Sequence, residues 1–267
     1  MTDPEKEHCS ARRVTKPQAA ALLAVLLAGT ALRAAWLGSG LPEIEHVDAF
    51  KFVGCADTMA RTGSFEPLDL QNPALFVNLL ALSYKAFHLT SSPMAEAMFA
   101  RAVCAFFGVA LIALVWLSGR PLLSGPAALT AAALAAVSVI LVTLSRFPMT
   151  DIVLTFFMTA GLACLLREEP RTGHIAGAGV FLGLAVAVKW TGLYLALFAA
   201  ALAAARAIKR RSPLMEAKRL SAVMLIAAAA FLLTCPQFLR HWHEYLSGLL
   251  TERQTQMYGQ IGRVQLG

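Results

Sequence analysis

Apolar runs of about 20 residues recur along this chain and constrain its fold more than any other feature. An α-helix rises about 1.5 Å per residue, so a run of this length spans the ~30 Å hydrocarbon core of a bilayer. Clear candidates are residues 17–37, 97–117, 126–144, 149–166 and 220–233. Hydrophobic residues make up 58% of the chain, more than a soluble domain of 267 residues usually contains. The sequence therefore predicts an all-α integral membrane protein.

Two further apolar stretches, at residues 72–89 and 175–205, have an ambiguous number of crossings. The first contains Lys85 and His88, whereas the second is too long for one helix, is short for two, and has Lys189 near its middle. Basic loops resolve such cases, because cytoplasmic loops are enriched in Lys and Arg and each added span reverses the side of every later loop. The basic segments are residues 12–16, 120, 167–171 and 206–219.

These basic segments share one side of the membrane only if residues 72–89 do not cross and residues 175–205 cross twice, turning near residues 189–192. We therefore expect about seven transmembrane helices in the cell (inner) membrane, with the N-terminus cytoplasmic. The first span follows basic residues and precedes no clear cleavage site, so we expect it to be an uncleaved signal anchor. The formal net charge of +7 is spread over loops between apolar runs, which argues against a nucleic-acid partner.

The predicted topology places three polar segments on the outer face of the membrane. These are the first loop at 38–96, the turn around 145–151 and the C-terminal segment 236–267, all within a single module of residues 1–267. The acidic residues that fall on this face include Glu43, Glu45, Asp48, Asp57, Glu66, Asp69 and Asp151. Because polar and acidic side chains gather there, we expect any chemistry to take place on the outer face.

Asp48 precedes a segment in which apolar residues recur at helical spacing, so an interfacial helix is expected to begin near it. One interpretation is a helix cap, because a carboxylate is stabilised by the free N–H groups of a first turn. The other is a general base at the bilayer surface, close to lipid-linked substrates. The residues themselves leave both interpretations open.

Arg146, Asp151 and Lys189 are further ionisable residues at the outer ends of predicted spans. Their structural interpretation is an interfacial helix start for Asp151, and basic side chains that snorkel or reach lipid phosphates. In the functional interpretation, Arg146 and Asp151 act as a pair, in which Arg146 holds an anionic head group while Asp151 orients an acceptor or a metal. Lys189 is considered separately, as a counter-charge for a lipid phosphate.

Metal-ligand spacing is absent from the sequence, and the five cysteines are scattered through it, mostly inside apolar runs. The segment 241–244, with two His and one Glu, is assigned to an amphipathic interfacial helix because His residues two apart point to different faces. No metal ligand is therefore assigned, and the cofactor stays unknown, with a divalent metal among the alternatives.

Several segments match family motifs in order along the chain. They are HVD at 46–48, MARTGSF at 59–65, NPALF at 72–76, ALSYKAF at 81–87, Arg101, RFPMTDIVLTFF at 146–157 and GLAVAVKWTG at 183–192. Together they resemble the GT-C membrane glycosyltransferases, in the branch of the protein O-mannosyltransferases and the aminoarabinose transferases of lipid A. The motif at 146–157, close to "R…TDxxLTFF", is the most specific of them.

The resemblance implies sugar transfer from a polyprenyl-phosphate donor to a hydroxyl of a protein or lipid acceptor. It implies catalytic roles for Asp48 and Asp151, with an outer-loop Asp taking the acceptor proton and the anomeric carbon inverted. It also implies that Arg101, Arg146 and Lys189 bind the lipid phosphate of the donor. The family module has seven spans with its acidic loops outside, which agrees with the expectation from loop charges.

Three positions depart from the family pattern. Ala49 stands where many members have Glu, residues 71–72 replace a frequent Lys or His, and residues 258–262 lack a usual His. Family members also continue past this point, so we expect a complete short variant, a truncated gene or one half of a split enzyme. The alternative function is a non-catalytic partner subunit, a truncated paralogue or a lipid-carrier transporter on the same scaffold.

Overall fold

The computed structural model describes residues 14–35, 37–41, 47–66, 71–90 and 92–258, apart from the side chains of residues 47, 48 and 252–258. Within these residues the chain forms eleven α-helices and one 3₁₀ turn, without a strand. The helices are α1 (Lys16–Ala34), α2 (Val47–Thr62), α3 (Leu75–Ala86), α4 (Pro93–Gly119), α5 (Gly125–Val137), α6 (Val139–Leu144), α7 (Thr150–Leu165), α8 (Thr172–Val188), α9 (Leu193–Arg210), α10 (Pro213–Thr234) and α11 (Phe238–Tyr258). The expected all-α fold is confirmed.

Four helical segments are long and apolar enough to cross a membrane: α1, α4, the 3₁₀ turn with α9, and α10. Four further apolar helices, α3, α5, α7 and α8, are shorter, with between 10 and 17 residues. At about 1.5 Å per residue, α7 and α8 are each about 25 Å long, slightly less than a typical hydrocarbon core. The chain is therefore a multi-pass membrane protein, and the count of seven spans stays a prediction.

The predicted span at 126–144 consists of two helices separated by a break at Ser138. Ser138 has a ψ of 117°, which ends α5 at Val137 and starts α6 at Val139. The last carbonyls of a helix have no partner of their own within it. Arg33, fully buried in the last turn of α1, donates to the carbonyls of Ala135 and Ala136 in this last turn of α5. The Arg33 guanidinium, which comes from another helix, thus supplies hydrogen bonds to the carbonyls at the end of α5.

The long apolar stretch at 175–205 folds back on itself where the sequence predicted a turn. α8 ends at Val188, Lys189 is extended, and a 3₁₀ turn at Trp190–Gly192 leads into α9. Gly192 lies against the backbone of α8 so closely that a Cβ there would clash with Ala185. The far ends of the two helices also meet, since His174 and Arg206 line the same groove. The two helices therefore form an antiparallel hairpin.

One hydrophobic cluster joins α2 and α3 to α4, α7 and α8. Phe52 of α2 packs edge-on against Phe76 of α3, and both belong to the same cluster as Ile152 of α7 and Val188 of α8. Ile152 and Val188 are the sequence neighbours of Asp151 and Lys189. The packing therefore places the beginning of α7 and the end of α8 beside the helices of the first loop.

Candidate functional site

Asp151 and Lys189 form an ion pair at adjoining ends of α7 and α8, with Lys189 Nζ 3.0 Å from Asp151 Oδ1. Asp151 lies in the first turn of α7, where free backbone N–H groups stabilise a carboxylate. Lys189 follows α8 directly, and its backbone N–H donates to Ala185 O. The side chains keep 30% and 26% of their surface exposed, so the pair is open to a ligand.

The turn between α6 and α7 carries Arg146 and is held from two sides. Arg33 Nε donates to Ser145 Oγ over 3.2 Å, and the Arg101 guanidinium lies 6.0 Å from the centre of the Phe147 ring. The side chain of Arg146 is half-buried and makes no hydrogen bond or ion pair with the residues that the structure describes. A fixed backbone with an uncommitted guanidinium suits the recognition of an anion.

Arg101 is buried in α4 and donates through one nitrogen to the carbonyls of Leu37 and Ser39, over 2.8 and 2.7 Å. It therefore fastens the chain that leaves α1 to the first turns of α4. Together with the contact to Phe147, this places Arg101 between the start of the first loop and the turn of Arg146.

Asp48 is the second residue of α2, which agrees with the helix start expected from its sequence. Its carboxylate lies outside the described residues. Further along the same helix, Lys51 donates to Gln71 Oε1 over 2.8 Å, and Phe52 and Val53 are buried in the cluster that contains Ile152. The helix that begins with Asp48 thus shares its core with the helix that begins with Asp151.

Sequence reasoning missed a polar cluster that joins α11 to the segment after α2. His241 Nε2 lies 2.6 Å from Glu66 Oε2, and His241 Nδ1 lies 2.5 Å from Glu244 Oε2. Arg240 lies 3.4 Å from the other oxygen of Glu66. The two carboxylates raise the pKa of His241, Glu66 first and Glu244 second. The spacing of His241 and Glu244 could have been found in a helix, but nothing in the sequence pairs either with Glu66.

A second missed cluster surrounds the start of α4. The Glu96 side chain is buried and lies 3.7 Å from Arg61, which also pairs with Asp57 over 2.5 Å. Tyr84 donates its hydroxyl proton to the backbone carbonyl of Glu96 over 3.0 Å. The Asp57–Arg61 pair has the four-residue spacing of a helical ion pair, which is visible in the sequence. In the part of the chain that the structure describes, no three or more His, Cys, Asp or Glu side chains are arranged to hold a metal ion.

A match to a known protein family covers most of the candidate site residues. The family model for dolichyl-phosphate-mannose-protein mannosyltransferase matches residues 81–245. The chain belongs to this family. The matched region contains Arg101, Arg146, Asp151 and Lys189, whereas Asp48 precedes it.

A curated relative of this mannosyltransferase family is similar over part of the chain. It is the polyprenol-phosphate-mannose–protein mannosyltransferase of Corynebacterium glutamicum, 34% identical over 125 residues, which cover 37% of this chain and 24% of the relative. The match therefore extends over about a quarter of the relative's own length.

Solved structures share the fold over nearly the whole chain. The Pmt1–Pmt2 protein O-mannosyltransferase complex of S. cerevisiae, bound to its sugar donor, has a TM-score of 0.67 at 21% identity. That match covers 93% of this chain and 36% of the other. The oligosaccharyltransferase AglB of Archaeoglobus fulgidus, in complex with an inhibitory peptide and a dolichol-phosphate, has a TM-score of 0.64 at 17% identity, covering 94% and 35%. The chain spans about a third of these structures.

Proposed function

We propose that this chain carries the membrane module of a glycosyltransferase that moves a sugar from a polyprenyl-phosphate donor to an acceptor hydroxyl at the outer membrane face. The observation that carries the proposal is the Lys189–Asp151 pair with Arg146 nearby in sequence, in a member of the mannosyltransferase family. Lys189, in a partly exposed ion pair at helix ends, and the half-buried Arg146 are two cations that suit a lipid phosphate at the membrane surface. Mannose is the sugar that the family name favours, and the acceptor is a protein or a lipid.

The position of the pair supports a site on the face opposite the basic loops. Asp151 begins α7 and Lys189 follows the end of α8, whereas the other ends of these helices lie beside Arg167 and Arg171. With helices about 25 Å long, the two ends lie near opposite surfaces of the bilayer. If basic loops are cytoplasmic, Asp151 and Lys189 lie outside.

The remaining topology follows from the same reasoning. α3 has 12 residues, about 18 Å of helix, which is too short to cross and suits an interfacial position. With α3 in the interface, and α1, α4, the α5–α6 pair, α7, α8, α9 and α10 crossing, the chain has seven spans in the cell (inner) membrane. The N-terminus is then cytoplasmic, and the loop 38–96 and the segment 236–267 are outside.

In the proposed reaction, Arg146 and Lys189 hold the phosphate of the donor and stabilise its charge as it leaves. Asp48 takes the proton of the acceptor hydroxyl, and the acceptor oxygen attacks the anomeric carbon from the side opposite the phosphate. The bond between the anomeric carbon and the phosphate oxygen breaks, so polyprenyl phosphate leaves and the anomeric carbon is inverted. Asp151 keeps Lys189 oriented, and Arg101 holds the loop that precedes Asp48.

The decisive experiment is a transfer assay with the purified chain, polyprenyl-phosphate mannose and a panel of other polyprenyl-phosphate sugars. We expect transfer of the sugar to an acceptor hydroxyl and its loss in Lys189→Ala, with Lys218→Ala as the control because Lys218 is an exposed cation at the basic end. Donor binding without transfer by the wild-type chain would instead favour a non-catalytic partner subunit.

The outer position of the site is tested separately by thiol labelling. In a background without native cysteines, Ser64→Cys should react with an impermeant reagent added to intact cells, because Ser64 is exposed in the first loop. Lys218→Cys at the basic end should react only after the membrane is opened. The reverse pattern would contradict the proposed topology.

A further inference from the structure

A groove lies at the basic end of the helix bundle, between the end of α7, the start of α8, the end of α9 and the start of α10. Its wall is mainly apolar and is formed by Leu165, Ile175, Ala178, Ala199, Leu202 and Val223. Its polar residues are His174, Arg206, Glu216 and Arg219. A groove with an apolar wall and charged residues in its lining matches the acyl chain and the charged head group of a lipid.

Arginines dominate the charged part of the groove. Glu216 is 2% exposed and accepts a hydrogen bond from Arg219 over 2.6 Å, so its charge is balanced by that residue. Arg206 donates through one nitrogen to the carbonyls of Leu165 and Arg167, over 2.9 and 2.6 Å, and makes no ion pair with a described carboxylate. One positive charge therefore remains in the lining of the groove.

The surroundings of the groove add to this positive charge. In the two segments that flank the groove, residues 167–171 and 206–219, eight Arg or Lys residues stand against three Glu. The basic residues are Arg167, Arg171, Arg206, Lys209, Arg210, Arg211, Lys218 and Arg219. Basic pockets between transmembrane helices attract anionic head groups, each basic residue near the surface contributing about 1 kcal/mol.

We propose that this groove binds an anionic glycerophospholipid, with the phosphate beside Arg206 and Arg219 and one acyl chain along the apolar wall. The inference is independent of the proposed transferase activity, because the groove lies at the other end of α7 and α8 from Asp151 and Lys189. The occupant is a membrane lipid because only a ligand with both an anion and a long apolar chain complements both parts of the groove.

The test compares two lipids that differ only in head group. The purified full-length chain is titrated in detergent with phosphatidylglycerol and with phosphatidylcholine of the same acyl chains, and bound lipid is counted by native mass spectrometry. We expect phosphatidylglycerol to bind at least about fivefold more tightly, which corresponds to about 1 kcal/mol for one basic residue. Equal binding of the two lipids overturns the proposal.

Two pairs of variants distinguish lipid binding in the groove from non-specific attraction to the basic end of the helix bundle. Arg206→Gln should weaken phosphatidylglycerol binding about fivefold, whereas Lys209→Gln, the same charge change at an exposed position, should not. Ala203→Phe fills the groove and should reduce binding, whereas Leu197→Phe, at a 65% exposed position of the same helix, should not. Equal losses within either pair overturn the proposal. The proposal is also overturned if glycerol phosphate competes as strongly as the lipid, because the acyl chain would then contribute nothing to binding.

Discussion

The guanidinium of Arg33 lies 3.2 Å from the hydroxyl of Ser145, which joins the last turn of α1 to the turn that carries Arg146. The same guanidinium donates to the carbonyls of Gly29, Ala135 and Ala136. All of these acceptors are neutral, so the charge of a fully buried arginine is stabilised by dipoles instead of a carboxylate. The contacts make Arg33 a fixed support for one side of the candidate site.

Replacing Arg33 tests this support. Arg33→Met keeps much of the side-chain volume but leaves the last carbonyls of α5 and the Ser145 hydroxyl without their charged donor. Because hydrogen bonds to a charged group contribute about 1.5–3 kcal/mol each, we expect a clear loss of thermal stability in detergent. Lys218→Met, at an exposed position, is the control and should change little. Equal melting temperatures for the two variants would contradict a structural role for Arg33.

Gly108 has no side chain, and the Arg33–Ser145 contact occupies the space where its Cβ would lie. A Cβ at Gly108 would clash with Ser145 Oγ and with the Arg33 guanidinium, so Gly108→Ala should cost about 1–3 kcal/mol. Gly54, also inside a helix, has open space where its Cβ would point, and Gly54→Ala should stabilise by about 0.4–1 kcal/mol. Thermal unfolding of both variants measures the difference, and the same sign of change in both would refute the packing argument.

Arg146 and Lys189 are predicted to bind the lipid phosphate of the donor. Arg146→Ala and Lys189→Ala should each weaken donor binding by about 1.5–3 kcal/mol, the contribution of a charge-assisted hydrogen bond. Isothermal titration with a short-chain polyprenyl-phosphate sugar measures this change, with Lys218→Ala as the control. Unchanged affinity in both variants would assign the two side chains to membrane anchoring alone.

Asp48 is predicted to be the general base. Asp48→Asn keeps the size of the side chain in the first turn of α2, but an amide cannot accept the proton of the acceptor hydroxyl. We expect transfer to fall by about 10²–10⁴-fold while the protein remains folded and binds its donor. Turnover and donor affinity measured on the same preparation separate catalysis from folding. Near wild-type turnover would leave Asp48 only a structural role at the start of α2.

The attachment of α11 is predicted to depend on pH. Glu66 and Glu244 raise the pKa of His241, so its protonated form is favoured in the folded state. The added stability is fully present below the unfolded pKa of about 6.5 and is lost as the pH rises through the raised folded value. Hydrogen exchange of α11 should therefore be faster at pH 8.5 than at pH 6, after correction for the intrinsic rate. The difference should disappear in His241→Gln, and its persistence there would exclude His241 as the cause.

Much of the fold could be predicted from local patterns. The turn at Lys189 was predictable because the apolar run is too long for one helix and only two crossings keep the basic loops on one side of the membrane. The helix that begins near Asp48 was predictable from the spacing of Phe50, Val53, Ala56 and Ala60, of which the last three are buried and Phe50 is exposed. Both features follow from the order and spacing of apolar and charged residues along the chain, which a sequence shows directly.

Features that depend on distant contacts could not be predicted in the same way. No Pro or Gly marks the break at Ser138. The carbonyls at the end of α5 accept hydrogen bonds from Arg33, which belongs to another helix. Asp151 was associated with Arg146 because the two are close in sequence, whereas the structure pairs it with Lys189, 38 residues away. Which cation reaches Asp151 depends on how α7 packs against α8, and helix packing is not readable from spacing.

The buried position of Arg33 has a consequence for the order in which the chain is made. Its partners Ala136 and Ser145 follow it by 103 and 112 residues, so at roughly 5–20 residues per second they are synthesised about 5–20 seconds later. During that interval a charge in the hydrocarbon core would cost about 2.5–3.5 kcal/mol, unless the side chain reaches the interface. Arg33 lies in the last turn of α1, from which a long side chain can snorkel. Biogenesis therefore requires α1 to enter the bilayer with Arg33 hydrated, and to exchange that water for the carbonyls of α5 only when α5 has itself been inserted.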